Sequence, residues 1–448
     1  MKKKKKFDDK EIFRKQILKH NKDIWKTHLD IELNDINQNT WFSIKESCEY
    51  DTKYSAPVYE EFTDKKLDKT IFKCKQIILH LNCTQKLIIN KWLISYCKMY
   101  NEALKFIKNS YIIDKKYSIN FYKLRKNLKN IKTGISDNSQ LNCKKNTRIA
   151  THDLDSAIKL ACTNYKSALT NFKNGNIKNF RIRYWNYNKS IQIMELEKCS
   201  FKNNTIRKIV LGMINATYNG NKFDFKVKHD CKLRFNRNTD EYILYVPEEV
   251  KKTDNDYTQE IISLDPGIRT FMTGISEEKI IKIGEKCTER LKTYFNRIDK
   301  INNNEDIHKN KKKKLEKKYN KKMTNLVNEM HWKTINYLTI NYKTILIGNM
   351  STKEIVSNKV SKITNMTKRV GLKLKFYQFT ERLKYKCDIS NRNYKMVNES
   401  YTSKMCSRCG NMKNDLGTNK IYKCTECNLK IDRDINGARG IFIKSITK

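Results

Sequence analysis

Apolar residues recur at helical spacing in two long stretches in the first half of the chain. The first stretch lies within residues 81–109 and predicts an amphipathic helix with Thr84 as its N-cap. The second stretch covers about 153–171 and predicts another amphipathic helix. The apolar positions that define the two stripes are Leu87, Ile88, Trp92, Leu93, Tyr96, Tyr100, Leu104 and Ile107 in the first, and Leu154, Ile158, Ala161, Tyr165 and Leu169 in the second.

Between residues 191 and 250 the pattern changes to an alternation of apolar and polar residues, as in KFDFKV, CKLRF and EYILYVP. Breaks that contain Asn and Asp, such as NRNTDE, separate these segments. Short alternating segments with such breaks predict an antiparallel meander or a small barrel.

From Ile261 onward the pattern predicts a mixed α/β domain. ISLDPGIRTFMTGIS is typical of a strand, a turn and a second strand, and KIIKIG is typical of a third strand. A long polar helix is predicted from about 285 to 342, and TILIG then predicts a short buried strand. Another helix is predicted over 367–387, followed by KMVNES as a strand and by a last helix from Asp434. The apolar face predicted for the 367–387 helix contains Leu372, Phe376, Phe379 and Leu383.

The net charge of the chain indicates which class of partner it binds. It carries 93 Lys and Arg residues against 48 Asp and Glu residues, a formal net charge of +45. Self-repulsion on this scale destabilises a compact state unless a polyanion neutralises it, and nucleic acid is the polyanion that this charge favours. No run approaches the roughly 20 apolar residues of a membrane span, and the N-terminal sequence MKKKKKFDDK lacks the apolar stretch of a secretory signal. We therefore expect a folded intracellular protein that binds nucleic acid.

Residues 111–190 concentrate positive charge, with 17 Lys and Arg residues against four Asp and Glu residues. Aromatic residues are interleaved with these charges, and that combination suits phosphate contact together with base stacking. The alternative is that the rings belong to a core and the charges to a solvated face. The Lys2–Lys6 run has similar alternatives: a nuclear localisation signal, a phosphate contact or a solvated end. The candidate nucleic-acid contacts are Lys178, Phe180, Arg181, Arg183, Tyr184 and Trp185.

Four of the 14 cysteines form two CxxC pairs, and the other ten are scattered singly. This distribution favours a reducing compartment and a metal site over a disulfide framework. The sequences CSRCG and CTEC, with 14 residues between Cys409 and Cys424, have the spacing of a structural zinc ribbon. We expect Zn²⁺ to be bound in a closed tetrahedral site that leaves no position open for catalysis. Its ligands are predicted to be Cys406, Cys409, Cys424 and Cys427.

Two acidic residues lie at the ends of predicted elements, one after a strand and one at the start of a helix. Asp265 follows the apolar strand IISL and precedes Pro266 and Gly267, while Asp434 opens the predicted last helix. Taken alone, the first is an ordinary turn residue and the second an ordinary helix cap. Together with a third carboxylate they have the chemistry to hold two Mg²⁺ ions for phosphodiester hydrolysis.

From about Leu79 to its C-terminus, the chain resembles the TnpB/Fanzor proteins, which are transposon-associated RNA-guided DNA endonucleases related to type V CRISPR effectors. The motifs that carry the resemblance occur in the family's order: YNEALKF, NFKNGNIKNFRIRYW, SLDPGIRTF, CSRCG with CTEC, and DRDINGARG. The resemblance implies catalytic Mg²⁺, an omega-RNA-like guide RNA and a double-stranded DNA target, bound by a monomeric ribonucleoprotein without a membrane. By motif match, Asp265 and Asp434 take the places of the first and last catalytic carboxylates.

The middle carboxylate departs from the commoner pattern of the family. Most TnpB proteins have a Glu after the apolar strand, where this chain has Gly348 in ILIGNMS. Fanzor proteins, the eukaryotic and viral branch, often have a Glu just before the ribbon instead, and VNESYTSKMCSRCG resembles that arrangement. Glu399 is therefore expected to be the third catalytic ligand, on one strand face with Val397 and Tyr401. Glu354 and Asp432 are the other candidate carboxylates.

The fold class implied by the resemblance combines an RNase H-like (RuvC) α/β nuclease domain containing an inserted zinc ribbon with a β-barrel wedge domain and a helical recognition lobe. A Fanzor-like protein is expected in the nucleus of a eukaryotic host or of a virus-infected cell. The expected segments are an N-terminal extension (1–70), the first part of the wedge barrel (71–82), the recognition lobe (83–185), the remainder of the barrel (186–255), the nuclease domain (256–400), the zinc ribbon (401–430) and the final nuclease segment (431–448).

Two other functions are compatible with these residues. Gly348 in place of an acid favours an RNA-guided DNA-binding protein that has lost nuclease activity. An unguided zinc-ribbon nucleic-acid binder or a transposase is the third possibility, and a co-purified RNA of defined sequence would oppose it.

Overall fold

The computed structural model of the chain divides into two compact units, one spanning Thr70–Val250 and the other Met1–Lys69 together with Lys251–Lys448. The Lys2–Lys6 run and the candidate carboxylate Glu354 lie outside the described residues. The structure describes residues 9–19, 33–36, 41–47, 70–114, 117–142, 146–202, 205–237, 239–253, 256–350, 363–414 and 419–446.

The α-helices lie mainly before residue 174 and after residue 284. In chain order they are α1 (Asp9–Lys19), α2 (Cys83–Ile113), α3 (Phe121–Asn127), α4 (Lys129–Asp137), α5 (Thr151–Lys173), α6 (Glu285–Asn303), α7 (Lys309–Asn341), α8 (Asn365–Leu374), α9 (Phe376–Ile389) and α10 (Arg433–Ile446).

The strands belong to two large sheets and two small ribbons. In chain order they are β1 (Leu33–Asp35), β2 (Ile44–Ser47), β3 (Ile71–His80), β4 (Ile191–Leu196), β5 (Phe201–Lys202), β6 (Thr205–Ile206), β7 (Asn215–Tyr218), β8 (Asn221–Lys222), β9 (Cys231–Asn236), β10 (Glu241–Val250), β11 (Gln259–Pro266), β12 (Met272–Ser276), β13 (Ile280–Ile283), β14 (Tyr342–Gly348), β15 (Asn393–Val397), β16 (Ile421–Lys423) and β17 (Lys430–Asp432).

The two amphipathic helices predicted in the first half of the chain are confirmed as α2 and α5, and their apolar stripes face one core. Trp92 is fully buried there and donates its Nε1–H to the carbonyl of Thr147 at 2.8 Å. Leu87 was wrongly assigned to the stripe, since it is 60% exposed. The predicted cap was also wrong: the N-cap is Asn82, before Thr84 in the chain, because Asn82 and Gln85 form a capping box.

An antiparallel six-stranded sheet follows in the same unit, in the order β4-β9-β10-β3-β7-β8. The predicted strands CKLRF and EYILYVP are β9 and β10, but residues 223–228 of the KFDFKV region are irregular. Within the described residues this sheet is open, with no pairing between β4 and β8, whereas a barrel requires its end strands to pair. The physical reason is that β8 has only two residues, Asn221 and Lys222, and both pair with β7.

The other unit is built on a mixed seven-stranded sheet in the order β1-β2-β13-β12-β11-β14-β15. Strands β11, β12 and β13 form an antiparallel meander, while β14 and β15 run parallel to β11. The two N-terminal strands, for which the sequence gave no prediction, extend this sheet through pairing of β2 with β13. Helices α6 to α9 pack against the sheet around an apolar core.

Two predicted helices of this unit are each interrupted. The 285–342 helix is two helices, because Asn304 accepts the N–H of Asp306 in a local turn and His308 caps the start of α7. The 367–387 helix breaks at Lys375, which has a left-handed φ of 51°. The break changes the phase of the apolar face, so Leu372 is 53% exposed although the prediction placed it with the buried Phe376.

None of the helices in the described parts of the chain is long and apolar enough to cross a membrane.

Candidate carboxylate and zinc sites

Three parallel strands of the seven-stranded sheet end at one edge and set the level of the candidate carboxylate site. The register pairs Leu264 of β11 with Ile347 of β14, and Gly348 of β14 with Val397 of β15. Asp265, the next residue of β11, is therefore level with Gly348. The carboxyl ends of parallel strands are the usual location of sites in α/β sheets.

Glu399 reaches this edge from the loop after β15 and not from a strand. Because β15 ends at Val397 and Tyr401 has a left-handed φ of 69°, the predicted common strand face of these three residues is wrong. Two side chains hold this loop by hydrogen bonds to the backbone of Glu399. Asn349 Oδ1 accepts the Glu399 N–H at 3.2 Å, and the hydroxyl of Thr402 donates to the Glu399 carbonyl at 2.8 Å.

Gly348 leaves the space that the Glu399 carboxylate fills. A Cβ atom built on Gly348 would lie 2.7 Å from Glu399 Oε2 and 3.0 Å from Ile441 Cδ1. Both distances are shorter than ordinary van der Waals contact, so a side chain at 348 would displace the Glu399 carboxylate from its place. The position where the commoner family pattern has an acid thus lies directly under the carboxylate of Glu399.

Helix α10 brings the third carboxylate to the same edge. Asp434 lies in its first turn, and the helix is fixed to β11 by a 2.6 Å hydrogen bond from the Ser263 hydroxyl to the Ala438 carbonyl. At Gly437 the helix approaches Asp265 so closely that an added Cβ would collide with Asp265 Oδ2. A glycine at this position is what permits the close approach of helix and carboxylate.

Burial and neighbouring charges shift the pKa values of Asp265 and Asp434. The pKa of Asp265 is raised well above its usual value, first by burial and then by the charges of Asp434 and Glu399. The pKa of Asp434 is also raised, first by burial and then by Asp432, against the opposing charges of Lys282, Arg433 and Arg269. The structure therefore places Asp434 and Glu399 close enough to act on Asp265, in a partly buried place where ionisation of Asp265 is unfavourable without a compensating cation.

The donor set fits a hard divalent cation such as Mg²⁺, which takes oxygen ligands and binds through one or two carboxylates. A cation would also relieve the repulsion that raises the pKa of Asp265. Across the described ranges, the one group of three or more His, Cys, Asp or Glu side chains with all ligand atoms within 4.8 Å of one another is the cysteine cluster. The carboxylates are more widely spread than that.

The four predicted zinc ligands do converge. Cys406 Sγ lies 3.6 Å from Cys427 Sγ, and Cys409 Sγ lies 3.5 Å from Cys424 Sγ. Zn–S bonds of about 2.3 Å in a tetrahedron place sulfur atoms ~3.8 Å apart, so this geometry fits Zn²⁺. The cluster joins β16 and β17 to the sheet through a small core that includes Ile275 and Ile280.

The predicted nucleic-acid contacts divide by burial. Lys178, Arg181 and Arg183 are exposed in an irregular segment. The ring of Trp185 stacks on Tyr100 at 4.2 Å between centroids. Similarly, the ring of Phe180 packs edge-on against Tyr165 at 5.0 Å, and the ring of Tyr184 lies under the Lys108 ammonium at 4.1 Å. Phe180 and Trp185 thus contribute to the core of their unit, which leaves the cations and Tyr184 facing outward.

Three residues of the DRDINGARG motif matter to the site and were not singled out in the sequence. Asn436 is fully buried, and Gly437 and Gly440 are points of closest approach to Asp265 and Thr402. The only sequence indication was the presence of two glycines and an asparagine inside a predicted helix, where these residues lower helix propensity. Such residues within a helix indicate close packing or side-chain hydrogen bonding, but not the partner.

Comparisons with known proteins agree on one family. Residues 376–441 match the family model described as Cas12f1-like, TNB domain. TnpB-like protein L770 of Acanthamoeba polyphaga mimivirus is 32% identical over 380 residues, which cover 80% of this chain and 70% of that protein. TnpB-like protein L79 of the same virus is 33% identical over 376 residues, with the same two coverages.

Among solved structures, the Cas12f1 chain of a Cas12f1–sgRNA–target DNA complex is 14% identical to this chain, with a TM-score of 0.44. The similarity covers 79% of this chain and 82% of that chain.

We predict that removal of zinc unfolds the ribbon locally. Cys424→Ser, or treatment with a strong chelator, should increase amide hydrogen exchange over β16 and β17, because binding energy at a structural zinc site is folding energy. Zinc content, measured by elemental analysis, should fall from one ion per chain in the wild type.

Cys199→Ser is the matched control, because this exposed cysteine lies outside the cluster. The prediction is wrong if the Cys424 variant retains both full zinc content and wild-type exchange.

Proposed function

Because the chain belongs to the TnpB-like protein family, we propose that it is an RNA-guided DNA endonuclease of the Fanzor type. Its motifs occur in the family's order, and two viral TnpB-like relatives match four fifths of its length. A guide RNA would read the target sequence by base pairing, while the cations of the protein bind phosphates of both nucleic acids. The net charge of +45 supports partners of that kind.

One observation carries the proposal that the protein cuts DNA. The Glu399 carboxylate lies over Gly348, at the strand end where the commoner TnpB pattern has its acid, and its charge acts on Asp265. The absence of an acid at 348 therefore does not remove a carboxylate from this edge of the sheet. This geometry favours an active nuclease over an RNA-guided binding protein without nuclease activity.

In the proposed site, Asp265, Glu399 and Asp434 hold Mg²⁺. Bound Mg²⁺ supplies activation of a water nucleophile and stabilisation of the leaving oxygen in phosphodiester hydrolysis. The protein contributes the positions of the three carboxylates. Strand β11 fixes Asp265, the hydrogen bonds of Asn349 and Thr402 fix the Glu399 loop, and helix α10 fixes Asp434.

The other segments have supporting roles in this proposal. The mixed sheet, a three-stranded antiparallel meander extended by two parallel strands, supports an RNase H-like nuclease core over 256–400 and 431–448. Residues 83–185 form the recognition lobe, with Lys178, Arg181, Arg183 and Tyr184 as nucleic-acid contacts, and the open sheet of 71–82 and 186–255 is the wedge domain. The protein acts as a monomeric ribonucleoprotein in the nucleus of a eukaryotic or virus-infected cell.

We predict that the purified chain, expressed with its genomic flanking sequence, retains one RNA of defined sequence. Deep sequencing of the bound RNA should show a constant region followed by a variable guide. Heterogeneous RNA would contradict a guided mechanism and favour an unguided zinc-ribbon binder or transposase. The reconstituted complex should be assayed for metal-dependent cutting of a matching duplex, and binding without cutting would favour the nuclease-inactive alternative.

Asp265→Ala, Glu399→Ala and Asp434→Ala should each lower the cleavage rate by at least about 100-fold, since each removes a ligand of the catalytic ion. Binding of the guide and of the matching duplex should stay within about twofold, because cations supply that affinity. A gel assay of single-turnover cleavage and a filter assay of binding measure the two quantities. Glu426→Ala, an exposed acid of the ribbon, is the control, and full activity of the Glu399 variant would refute its proposed role.

Gly348→Ala should reduce cleavage by about tenfold or more, because its Cβ would displace the Glu399 carboxylate at 2.7 Å and thereby disturb a metal ligand. Gly134→Ala is the matched control, since its Cβ would meet nothing within 4 Å. Cleavage rates of both variants on the same guided complex provide the comparison.

A double variant tests whether the carboxylate can come from either strand end. Gly348→Glu combined with Glu399→Ala removes the collision with Glu399, leaves a close contact with Ile441 and places an acid at the commoner position, so it should cut faster than Glu399→Ala alone. Equal rates for Gly348→Ala and wild type would contradict the steric coupling of these two positions.

A further inference from the structure

We infer that Asn436 is a positioning residue through which the folded zinc ribbon sets the geometry of the carboxylate site. This inference rests on the proposed function of that site and adds a residue and a coupling to it. Asn436 is fully buried in helix α10, between the two sites.

The side-chain amide of Asn436 binds three backbone groups. Its Nδ2 donates to the carbonyls of Met405 at 2.9 Å and Thr402 at 3.3 Å. Its Oδ1 accepts the N–H of Ser407 at 3.0 Å. An amide offers two donors and one acceptor group, so a single Asn satisfies all three backbone groups in a buried place.

Two of these partners flank a zinc ligand. Met405 and Ser407 are the neighbours of Cys406, which is fully buried and belongs to the cysteine cluster. The conformation of residues 405–407 is therefore fixed both by the zinc ligand and by Asn436. A change in the fold of the ribbon at Cys406 acts directly on the amide of Asn436.

The third partner of Asn436, Thr402, contacts the loop that carries Glu399. Thr402 holds the Glu399 carbonyl with its N–H at 3.2 Å and with its hydroxyl at 2.8 Å. Helix α10 also meets Thr402 at Gly440, where an added Cβ would lie 2.9 Å from the Thr402 Cβ. The Glu399 loop is thus supported on the same helix that carries Asn436.

The helix itself carries the other two contacts with the site. Asp434 lies two residues before Asn436, and Gly437 directly after it meets the Asp265 carboxylate. Hence one buried amide joins the zinc ligand loop, the Glu399 loop and the helix that positions Asp434. Loss of the amide frees these three segments to shift relative to one another without removing any ligand of either metal.

The test uses Mn²⁺ as the probe of the carboxylate site in the full-length guided complex. Asn436→Ala should weaken Mn²⁺ binding, measured by electron paramagnetic resonance, by about tenfold or more, as is typical for residues that orient metal ligands. The Mn²⁺ concentration for half-maximal cleavage should rise by a similar factor. Zinc content should stay at one ion per chain, since all four cysteines remain.

A matched variant separates this coupling from a general effect on the ribbon. Asn411→Ala removes a ribbon hydrogen bond from Asn411 Nδ2 to the Thr425 hydroxyl and leaves the carboxylate side untouched. It should leave Mn²⁺ binding within about twofold of wild type. A purely structural role of Asn436 would lower the active fraction equally at all Mn²⁺ concentrations and would not shift the half-saturation point.

Asn436→Ser serves as a second variant if the alanine variant loses zinc, because the hydroxyl retains one hydrogen bond and should give a smaller shift in the same direction. Wild-type Mn²⁺ affinity in a zinc-loaded Asn436 variant would overturn the inference. If Asp265→Ala binds Mn²⁺ as wild type does, the proposed carboxylate site fails, and the inference fails with it.

Discussion

The carboxylate site depends on space left by two missing side chains. Gly348 leaves room at the end of β14 for the Glu399 carboxylate, and Gly437 lets helix α10 approach the Asp265 carboxylate. Strand register alone brings the ends of β11, β14 and β15 to one level, but it does not decide whether acidic side chains fit between the sheet and the helix. Because protein interiors are close-packed, a single added Cβ at either glycine would move a carboxylate.

Burial and charge repulsion oppose the placement of these carboxylates at one sheet edge. Burial and the charges of its acidic neighbours raise the pKa of Asp265, so the ionised site is destabilising in the absence of a cation. The surrounding fold tolerates this because other contacts hold the segments in place, including the hydrogen bond from Ser263 to helix α10 and the amide of Asn436. In a chain with a net charge of +45, the long-range field also favours ionised carboxylates. Local repulsion at the carboxylate site is thus balanced by contacts elsewhere in the unit.

The sequence predicted those features that depend on local pattern. Helical periodicity identified α2 and α5, and CxxC spacing identified four cysteines that the structure brings within 4.8 Å of one another. Prediction from the sequence failed where the conformation depends on a single residue, as at Lys375, whose left-handed φ divides a predicted helix. The contacts of Asn436 were beyond reach as well, because all three of its partners lie about 30 residues away along the chain.

The location of Glu399 shows why the site can be recognised from the sequence although its geometry cannot. The strand predicted to carry Glu399 ends at Val397, and the side chain reaches the site from a loop. Parallel neighbours β14 and β15 finish at the same edge, so an acid supplied after either strand arrives in the same small volume. The constraint is steric, since a side chain at position 348 would displace the Glu399 carboxylate from the space that Gly348 leaves. The proposed site thus depends on the space left free at this sheet edge more than on which strand the acid follows.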